Sequence, residues 1–416
     1  MSDNILVGVR IRPLIPREVN EASAVHWKIG DGESILQIDP SSRRSLCSPY
    51  KFDRVFGMDC NNEDIYCSIA EGIIESALAG FNATIFAYGQ TSSGKTYTMM
   101  GDKQEPGIIP LAIRNIFQSI ENNPDREYLI RVSYMEIYNE TITDLLASRD
   151  QKGKGLAVRE DISGNVYVAD LKEECINSEE MLLAIMKKGN KNRHVAASNM
   201  NDRSSRSHAI FRLILESRER SEGDDSDVAV TVSHLNLVDL AGSENASQTG
   251  ATGDRLKEGG FINKSLFMLG RVISQLSEGE QFVNFRDSKL TRILQLSLGG
   301  NAKTAVVCTV TPVGIEQTHS TLRFASRAKA VKNKPVVNEV LSDAALLKRY
   351  AMEIKTLQNS LAKERSTDKA QEVDKVREML DEKERKNQEL LQKISELKEN
   401  LVVSSLPRES ARNIGI

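Results

Sequence analysis

Apolar positions along residues 1–331 recur with two periods, one typical of strands and the other of helices. Ile5, Val7, Val9 and Ile11 alternate with other residues, which predicts a strand with one buried face, and Pro13 ends its ladder. Other β-rich or buried apolar runs predict strands over 34–38, 83–88, 128–138, 209–216, 228–238 and 302–310. Helical spacing predicts helices over 63–78, 107–121, 178–189, 265–276 and 289–298. This alternation predicts an α/β fold with helices on both faces of the sheet.

The pattern changes near Lys332. Pro335 interrupts any helix there, and residues 332–343 are typical of an extended connector. We therefore divide the chain into a globular domain, a linker, a helical segment and a tail, with bounds at 1–333, 334–346, 347–401 and 402–416.

The segment 347–401 carries apolar residues at alternating intervals of three and four, with an interruption near 364–371. This spacing predicts a coiled coil and hence a homodimer. Lys383 and Asn387 occupy positions on the seam, where a polar residue can fix the register at some cost in stability. A helix folded back on the globular domain is the alternative.

Length and composition bound the class of protein. With 416 residues, 40% of them hydrophobic, the chain can form one large core plus an appendage. A net charge of -3 and a pI near 6.1 argue against a nucleic-acid binder. The five cysteines form no C-x-x-C pair, so neither a zinc site nor a disulfide framework is predicted. No run approaches the roughly 20 apolar residues that span a bilayer, and the N-terminus lacks a signal-peptide pattern. We expect a soluble intracellular protein with no membrane partner.

Residues 89–96, GQTSSGKT, fit the phosphate-binding pattern G-x-x-x-x-G-K-[ST]. They lie between the predicted strand 83–88 and a helix expected to include Tyr97. In such a loop, backbone N–H groups and the helix N-terminus bind phosphate. Lys95 would reach the β- and γ-phosphates, and the Thr96 hydroxyl would hold Mg²⁺. A chance turn rich in Gly, Ser and Thr is the alternative, and the flanking elements count against it.

Two further polar stretches narrow the choice among the kinases, GTPases, pumps and motors that share this loop. Residues 239–244, DLAGSE, follow an apolar strand, so their carboxylate can organise Mg²⁺ while the Gly242 N–H meets a γ-phosphate. Residues 201–208, NDRSSRSH, supply hydroxyls and cations that can orient an attacking water. Arg206 and Glu244 could pair across the closed site. Each stretch alone is ambiguous, because serine clusters usually form turns and an Asp after a strand often caps a helix.

In this order the three motifs resemble those of kinesin motor domains, over about residues 4–333, followed by a neck linker and neck coil. Three stretches are similar to the centromere-associated kinesin-7 subfamily: FAYGQTSSGKTYTMMG at 86–101, RVSYMEIYNETITDLL at 131–146 and HLNLVDLAGSE at 234–244. FRDSKLTRILQLSLGGNAKT at 285–304 is shared more widely among kinesins. The resemblance implies a P-loop NTPase motor domain with a mostly parallel central sheet flanked by helices.

The resemblance also implies roles around a site for ATP and Mg²⁺. The implied nucleotide-binding residues are Arg10, Arg12, Pro13, Gln90, Thr91, Ser92, Ser93, Gly94, Lys95, Thr96 and Tyr97. The implied catalytic residues are Ser205, Arg206, Gly242, Glu244 and Asn263. The implied Mg²⁺ ligands are Thr96, Ser205 and Asp239. In the family, the R-x-R-P motif packs around adenine and an aromatic residue stacks on the base. The guanine-reading pattern N-K-x-D is absent, so ATP is favoured over GTP.

Movement is implied in the same way. The resemblance makes residues 201–208 the first switch loop and residues 239–244 the second. Loss of the γ-phosphate would release both switch loops, shift the helix near Asn263 and undock the connector from the core. Asn338 matches a latch residue whose side chain bonds core backbone, and residues 1–4 could pair with the docked connector.

The implied track is the microtubule, whose surface is acidic. The cations that match track contacts of the family are Arg159, Lys257, Arg286, Lys289 and Arg292. Asn245, Asp254 and Phe261 depart from the family's usual pattern near this face, which bears on velocity, processivity and track affinity.

We therefore expect a microtubule-stimulated ATPase that walks as a dimer towards the plus end, in the cytoplasm and on the cytoskeleton. The subfamily likeness adds an expected role in mitotic chromosome movement at the spindle and kinetochore. A non-motile microtubule tether with a slow ATPase is the second hypothesis. A nucleotide-switch signalling protein or small-molecule kinase is the third, and the long coil and the two switch motifs count against it.

Overall fold

The computed structural model describes residues 4–147, 155–161, 164–197, 203–220, 229–244 and 254–340, with Lys383, Lys386, Val402 and Val403. Its strands are β1 Leu6–Ile11, β2 Trp27–Ile29, β3 Ser34–Gln37, β4 Tyr50–Lys51, β5 Arg54–Phe56, β6 Ala83–Tyr88, β7 Arg126–Tyr138, β8 Thr141–Asp144, β9 Val158–Glu160, β10 Val166–Val168, β11 Glu174–Ile176, β12 His208–Glu219, β13 Val230–Asp239, β14 Lys303–Val310, β15 Glu339–Val340 and β16 Val402–Val403. Its α-helices are α1 Pro16–Asn20, α2 Asn62–Ile65, α3 Glu71–Leu78, α4 Lys95–Met100, α5 Ile108–Glu121, α6 Glu179–Ala197, α7 Asp254–Glu278, α8 Lys289–Ile293 and α9 Glu316–Ala330.

One large sheet organises the described part of the chain, in the order β11-β7-β12-β13-β6-β14-β1-β5. The expected mostly parallel sheet is wrong, because four of its described pairings are parallel and six are antiparallel. Strands β13, β6, β14, β1 and β5 pair in parallel, whereas β12 is antiparallel to both β7 and β13. β12 ends at Glu219 and β13 begins at Val230, and so short a connection favours antiparallel pairing, because a parallel pair needs a crossover of a dozen or more residues.

Both faces of the sheet are covered by helices. The central strand β6 shows this directly: Ile85 and Ala87 pack in the apolar layer that includes α3 and α5, while Phe86 and Tyr88 pack in the layer that includes α7 and α9. All six residues of β6 are buried, as expected for a parallel strand with helices on both faces. The expected α/β architecture with two helical layers is confirmed.

Most predicted elements are present with shifted ends. The helix predicted over 63–78 is divided into α2, a π-helix at Tyr66–Ala70 and α3. Helices α6 and α7 extend beyond the predicted 178–189 and 265–276. The added turns contain glycine and many charged residues, so they lack the apolar period on which the prediction relied.

The connector lies along the core in this structure. The N–H of Lys334 donates to the Gly300 carbonyl at 2.9 Å, and that of Asn338 donates to the Gly80 carbonyl at 3.0 Å. β15 then continues the connector as an antiparallel partner of β13. At its beginning, Lys332 forms an antiparallel bridge with Asn4, so residue 4 pairs with the docked connector as expected.

The predicted coil at 347–401 lies outside the described residues except for Lys383 and Lys386, which are helical and exposed. Val402–Val403, in the predicted tail, form β16 against Glu127 and Tyr128 of β7. Among the helices described here, none combines the length and apolar character needed to cross a bilayer.

Candidate nucleotide-binding site

The phosphate loop joins the buried strand β6 to helix α4. Gly94 adopts φ 102°, a left-handed conformation that glycine favours, and α4 begins immediately afterwards at Lys95. The Lys95 ammonium is buried and donates to the carbonyls of Gly89 and Gln90, both at 2.9 Å. Burial lowers the pKa of Lys95, and Asp239 and Glu244 oppose that effect. The loop thus holds a cation at the N-terminus of a helix, where a phosphate gains from both.

The residues expected to hold Mg²⁺ meet at the edge of the sheet. Thr96 is exposed, and its hydroxyl donates to Asp239 Oδ2 at 2.9 Å. Within the part of the chain that the structure describes, the other carboxylate oxygen of Asp239, Oδ1, is buried without a hydrogen-bond partner. A hydroxyl beside a carboxylate with an unused oxygen offers the hard oxygen donors that Mg²⁺ prefers, so these residues fit the ion.

Backbone hydrogen bonds join the first switch loop to the second, and the second to the phosphate loop. The N–H of Gly242 donates to the Ser205 carbonyl at 2.8 Å, and that of Ser243 donates to the Gly89 carbonyl at 3.1 Å. Glu244 accepts from the N–H of Thr91 at 2.7 Å and also from its hydroxyl. A β-carbon on Gly242 would overlap the side chains of Thr91 and Glu244, so a larger residue there would displace this contact. A shift of one loop therefore disturbs the other two.

Ser205 and Arg206 lie in a 3-10 turn at Arg203–Arg206, and both are half-buried. The predicted ion pair between Arg206 and Glu244 stays a prediction. Asn263 and Lys257 lie in α7, and their side chains are outside the described part of the structure.

Arg193 of α6 is a site residue that the sequence analysis missed. Its Nη1 lies 3.0 Å from Asp239 Oδ2, and its Nη2 donates to the Ser207 carbonyl at 3.0 Å. Glu136 lies 3.9 Å from its Nε. Burial acts against the charge of Arg193, yet Asp239 and other neighbours outweigh it and raise the pKa. Arg193 therefore fixes the expected Mg²⁺ carboxylate and the end of the first switch loop together.

His208, the last residue of NDRSSRSH, connects this site to helix α7. Its Nδ1 accepts from the N–H of Ala241 at 3.0 Å, and its Nε2 lies 2.7 Å from the Ser265 hydroxyl. Burial lowers the pKa of His208 to about 3, with Arg193 and Lys95 adding to the effect. The ring is therefore neutral, and since Nδ1 accepts, Nε2 carries the proton and donates to Ser265.

Some residues expected near the base are buried and position the loop, whereas others are exposed and can contact the base. Arg12 is buried and forms a bidentate ion pair with Glu18 at 2.6 and 2.7 Å, while its Nε donates to the Ser92 carbonyl at 2.7 Å. Pro13 and Ser92 are exposed. Arg12 therefore positions the loop, and Pro13 offers an apolar surface for the base.

Tyr97 is half-buried, and Arg10 lies beneath it with Cζ 5.2 Å from the ring centroid. The buried Arg10 guanidinium donates to Asn62 Oδ1 at 2.6 Å and to the Thr98 hydroxyl at 2.8 Å. The hydrogen bond from the Tyr97 hydroxyl to Glu105, at 2.5 Å, is the main cause that raises the pKa of Tyr97 to about 12. The ring is therefore held in place as a neutral phenol, with Arg10 behind it.

The remaining loop residues support its shape. Ser93 is buried, and its hydroxyl donates to the Gln90 carbonyl at 2.7 Å and lies 2.6 Å from the Thr309 hydroxyl of β14. Gln90 Oε1 is buried and has no hydrogen-bond partner among the described residues, so this amide is available to a bound group.

Three of the five cations expected to face the track, Arg286, Lys289 and Arg292, lie against the β9–β10 hairpin and the segment before it, and the hairpin carries a fourth, Arg159. Arg159 is exposed on the β9–β10 hairpin, next to Glu160. Glu160 Oε2 lies 3.1 Å from Arg286 Nη2 and 3.3 Å from Arg292 Nη2. Lys289 Nζ donates to the Leu156 carbonyl at 3.4 Å, so α8 and the segment before the hairpin are joined. The sequence analysis did not single out the acidic residue in this group of cations.

Comparison with known proteins matches the family model "Kinesin motor domain" to residues 10–331. Centromere-associated protein E of Homo sapiens is 54% identical over 407 residues, which is 96% of this chain and 15% of that protein. Kinesin-like protein KIN-7L of Oryza sativa subsp. japonica is 50% identical over 371 residues, which is 86% of this chain and 57% of that protein. The chain thus spans less than two thirds of these relatives.

Two solved structures share the fold. The structure of a fast kinesin is 40% identical, covers 81% of this chain and 94% of that chain, and has a TM-score of 0.74. A KIF14 dimer in complex with a microtubule is 38% identical, covers 81% of this chain and 97% of that chain, and has a TM-score of 0.73.

Proposed function

This chain belongs to the kinesin family, whose motor domains are microtubule-dependent ATPases, and we propose that it is itself a microtubule-stimulated ATPase motor. The observation that carries the proposal is a series of hydrogen bonds: Gly242 bonds Ser205 of the first switch loop, while Ser243 and Glu244 bond the phosphate loop. A site built in this way responds as a unit to the presence of a terminal phosphate.

Hydrolysis requires positioning and charge neutralisation more than covalent chemistry by the protein. Lys95 binds the β- and γ-phosphates and exchanges its two loop carbonyls for phosphate oxygens. Mg²⁺, when bound through Thr96, Ser205 and Asp239, neutralises the charge that develops on the phosphates. Ser205 and Glu244 orient the attacking water, and the Gly242 N–H reaches the γ-phosphate. Arg193 keeps Asp239 in place throughout, because the two form a buried ion pair.

The structural change that follows phosphate release is transmitted to α7 through His208. When the γ-phosphate leaves, the bond between Gly242 and Ser205 loosens, and the His208 ring moves with Ala241. Its hydrogen bond to Ser265 carries that movement into α7, which packs on α9. α9 leads directly into the connector, so the docked connector is released at the end of this chain of contacts.

Track binding is proposed for the cations around the β9–β10 hairpin and α8. Arg286 and Arg292 both contact Glu160 of this hairpin and Lys289 bonds the segment before it, while Arg159, exposed on the same hairpin, and Lys257 in α7 are proposed to join them. A cluster of cations favours an acidic surface such as that of the microtubule and makes binding dependent on salt.

Direction, dimerisation and cellular role are proposed from further features of the chain and its relatives. Plus-end direction follows from a connector placed after the motor domain, and dimerisation is supported by the apolar seam over 347–401 and by the dimeric KIF14 structure. A mitotic role at the spindle and kinetochore is supported by the name of the human relative, which describes it as centromere-associated.

The deciding experiment is ATP turnover by the purified chain with and without microtubules. We expect turnover to rise steeply with microtubule concentration and to saturate. A rate that does not respond to microtubules would refute the motor. A gliding assay then separates the second hypothesis, since a tether would hold microtubules on the surface without moving them.

A further inference from the structure

The chain contains two dipeptides in which proline follows a hydroxyl residue, Ser48–Pro49 and Thr311–Pro312. They differ in how accessible the hydroxyl is to a modifying enzyme. Ser48 and Pro49 are exposed and lie outside the helices and strands, just before β4. Thr311 is 2% exposed, and its hydroxyl accepts from the N–H of Gly314 at 3.2 Å. Only the first hydroxyl is open to an enzyme in the folded protein.

The residues around Ser48 carry further recognition features. Lys51, three positions after the serine, is exposed, and so are Arg43 and Arg44 upstream. Proline fixes φ and favours an extended backbone at the residue before it, which is the conformation that an extended substrate groove accepts. Protein kinases commonly discriminate substrates by such charge patterns near the target residue.

We propose that Ser48 is phosphorylated by a proline-directed Ser/Thr protein kinase that also selects a basic residue three positions after the target. The Ser48 hydroxyl oxygen attacks the γ-phosphorus of ATP bound to that kinase and forms a new O–P bond. The bond between the γ-phosphorus and the β–γ bridging oxygen breaks and ADP leaves, while the hydroxyl proton passes to the kinase's base. This inference is independent of the proposed motor function and stands or falls separately.

Contacts of Tyr50 connect the segment that contains Ser48 to helix α9. Tyr50, two residues later, has its hydroxyl 3.1 Å from His319 Nδ1, and His319 Nε2 lies 2.9 Å from Gln37 Oε1 of β3. Trp27 of β2 lies edge-on to the same imidazole with ring centroids 4.9 Å apart. A phosphoserine adds about 1.5 to 2 negative charges two residues before Tyr50 in the chain. The structure thus assigns His319, on α9, as the group that senses the modification.

The first test incubates the folded chain with ATP and a cyclin-dependent protein kinase, the proline-directed class with this basic preference. Intact mass and peptide mapping should find one phosphate per chain, on Ser48. Ser48→Ala should remove it, and Lys51→Ala should lower the rate severalfold. Ser45→Ala is the matched control, because Ser45 is exposed in the same loop without a following proline, and it should leave the rate unchanged. No phosphate on Ser48, or equal incorporation by Ser48→Ala, would overturn the site.

The second test uses the chain's single tryptophan as a built-in probe. Phosphorylation should change the fluorescence of Trp27, because it packs on the imidazole that contacts Tyr50, and the change should be absent from Ser48→Ala treated identically. Tyr50→Phe, which keeps the ring but removes the hydroxyl, should reduce the change severalfold in phosphorylated protein. A fully phosphorylated chain with unaltered Trp27 emission would refute the transmission to α9.

Discussion

Replacing Asn338 by alanine should shift the connector towards its undocked state without affecting nucleotide binding. Two hydrogen bonds of this half-buried side chain hold the connector: its Nδ2 donates to the Gly80 carbonyl at 3.3 Å, and its Oδ1 accepts from Asn301 Nδ2 at 2.8 Å. The backbone bonds between Asn338 and both Gly80 and Val232 remain in the variant. The perturbation is therefore confined to the side chain.

The magnitude follows from the number of bonds lost. A net hydrogen bond contributes about 0.5–1.5 kcal/mol, so the docked state loses roughly 1–3 kcal/mol relative to the undocked state. That difference corresponds to about a 5- to 150-fold change in the docking equilibrium. A loss near the lower limit of this range is favoured, because one bond is 3.3 Å long and the side chain is partly exposed to water.

The docking equilibrium can be measured by electron spin resonance between two nitroxide labels. One label is placed at Glu339 on the connector and the other at Glu75 on α3, since both side chains are exposed. The exposed Cys67 and Cys175 are replaced by serine to prevent stray labelling. The docked distance population should decrease in Asn338→Ala, and microtubule gliding should slow while ATP affinity stays constant.

Lys334→Ala provides the matched control. Its side chain is exposed, and its backbone bond to Gly300 survives the substitution, so the docked fraction should be unchanged. If Asn338→Ala leaves the distance distribution like that of the parent protein, the side-chain bonds do not determine docking and the reasoning is wrong.

Three further results are expected. Lys95→Ala should weaken ATP binding at least about 30-fold in a titration with a fluorescent ATP analogue, since removing one partner of a buried charged contact costs about 2–5 kcal/mol; unchanged affinity would exclude its phosphate role. Glu160→Gln should tighten microtubule co-sedimentation by up to about fivefold at low salt, because Arg286 and Arg292 lose a competing carboxylate whose exposed pairs contribute at most about 1 kcal/mol each; equal or weaker binding would contradict the cation cluster. The pKa of His208 is about 3 in the folded protein against 6.5 ordinarily, so the unfolded chain binds more protons between those values and stability falls as pH decreases from about 6.5. The free energy of unfolding, measured by urea titration at pH 7 and pH 5, should therefore change less in His208→Gln than in the parent, by up to about 1.4 kcal/mol per pH unit. An identical pH dependence in the two proteins would show that this histidine is not buried as a neutral ring.

The sequence by itself determined the parts of the site that are local in the chain. The phosphate loop requires glycine at Gly94 and a cation at Lys95 within one turn between a strand and a helix, and all of these lie within a few residues of one another. Strand β6 agrees with its predicted bounds because a run of apolar residues ending at a glycine has one simple interpretation. The adjacent hydroxyl of Thr96 is equally readable, since it follows the lysine directly.

Tertiary structure decided everything that depends on residues distant in the chain. Arg193 reaches Asp239, 46 residues away in the chain, only because the fold brings α6 to the end of β13, and no periodicity at Arg193 distinguishes it from an exposed charge. His208 was visible in a motif, but its role required α7 to bring Ser265 within 2.7 Å. The antiparallel half of the sheet likewise follows from how long strands pair, which apolar patterns do not record. The role of a side chain such as Arg193 or His208 depends on the residue it contacts, and that contact exists only in the folded chain.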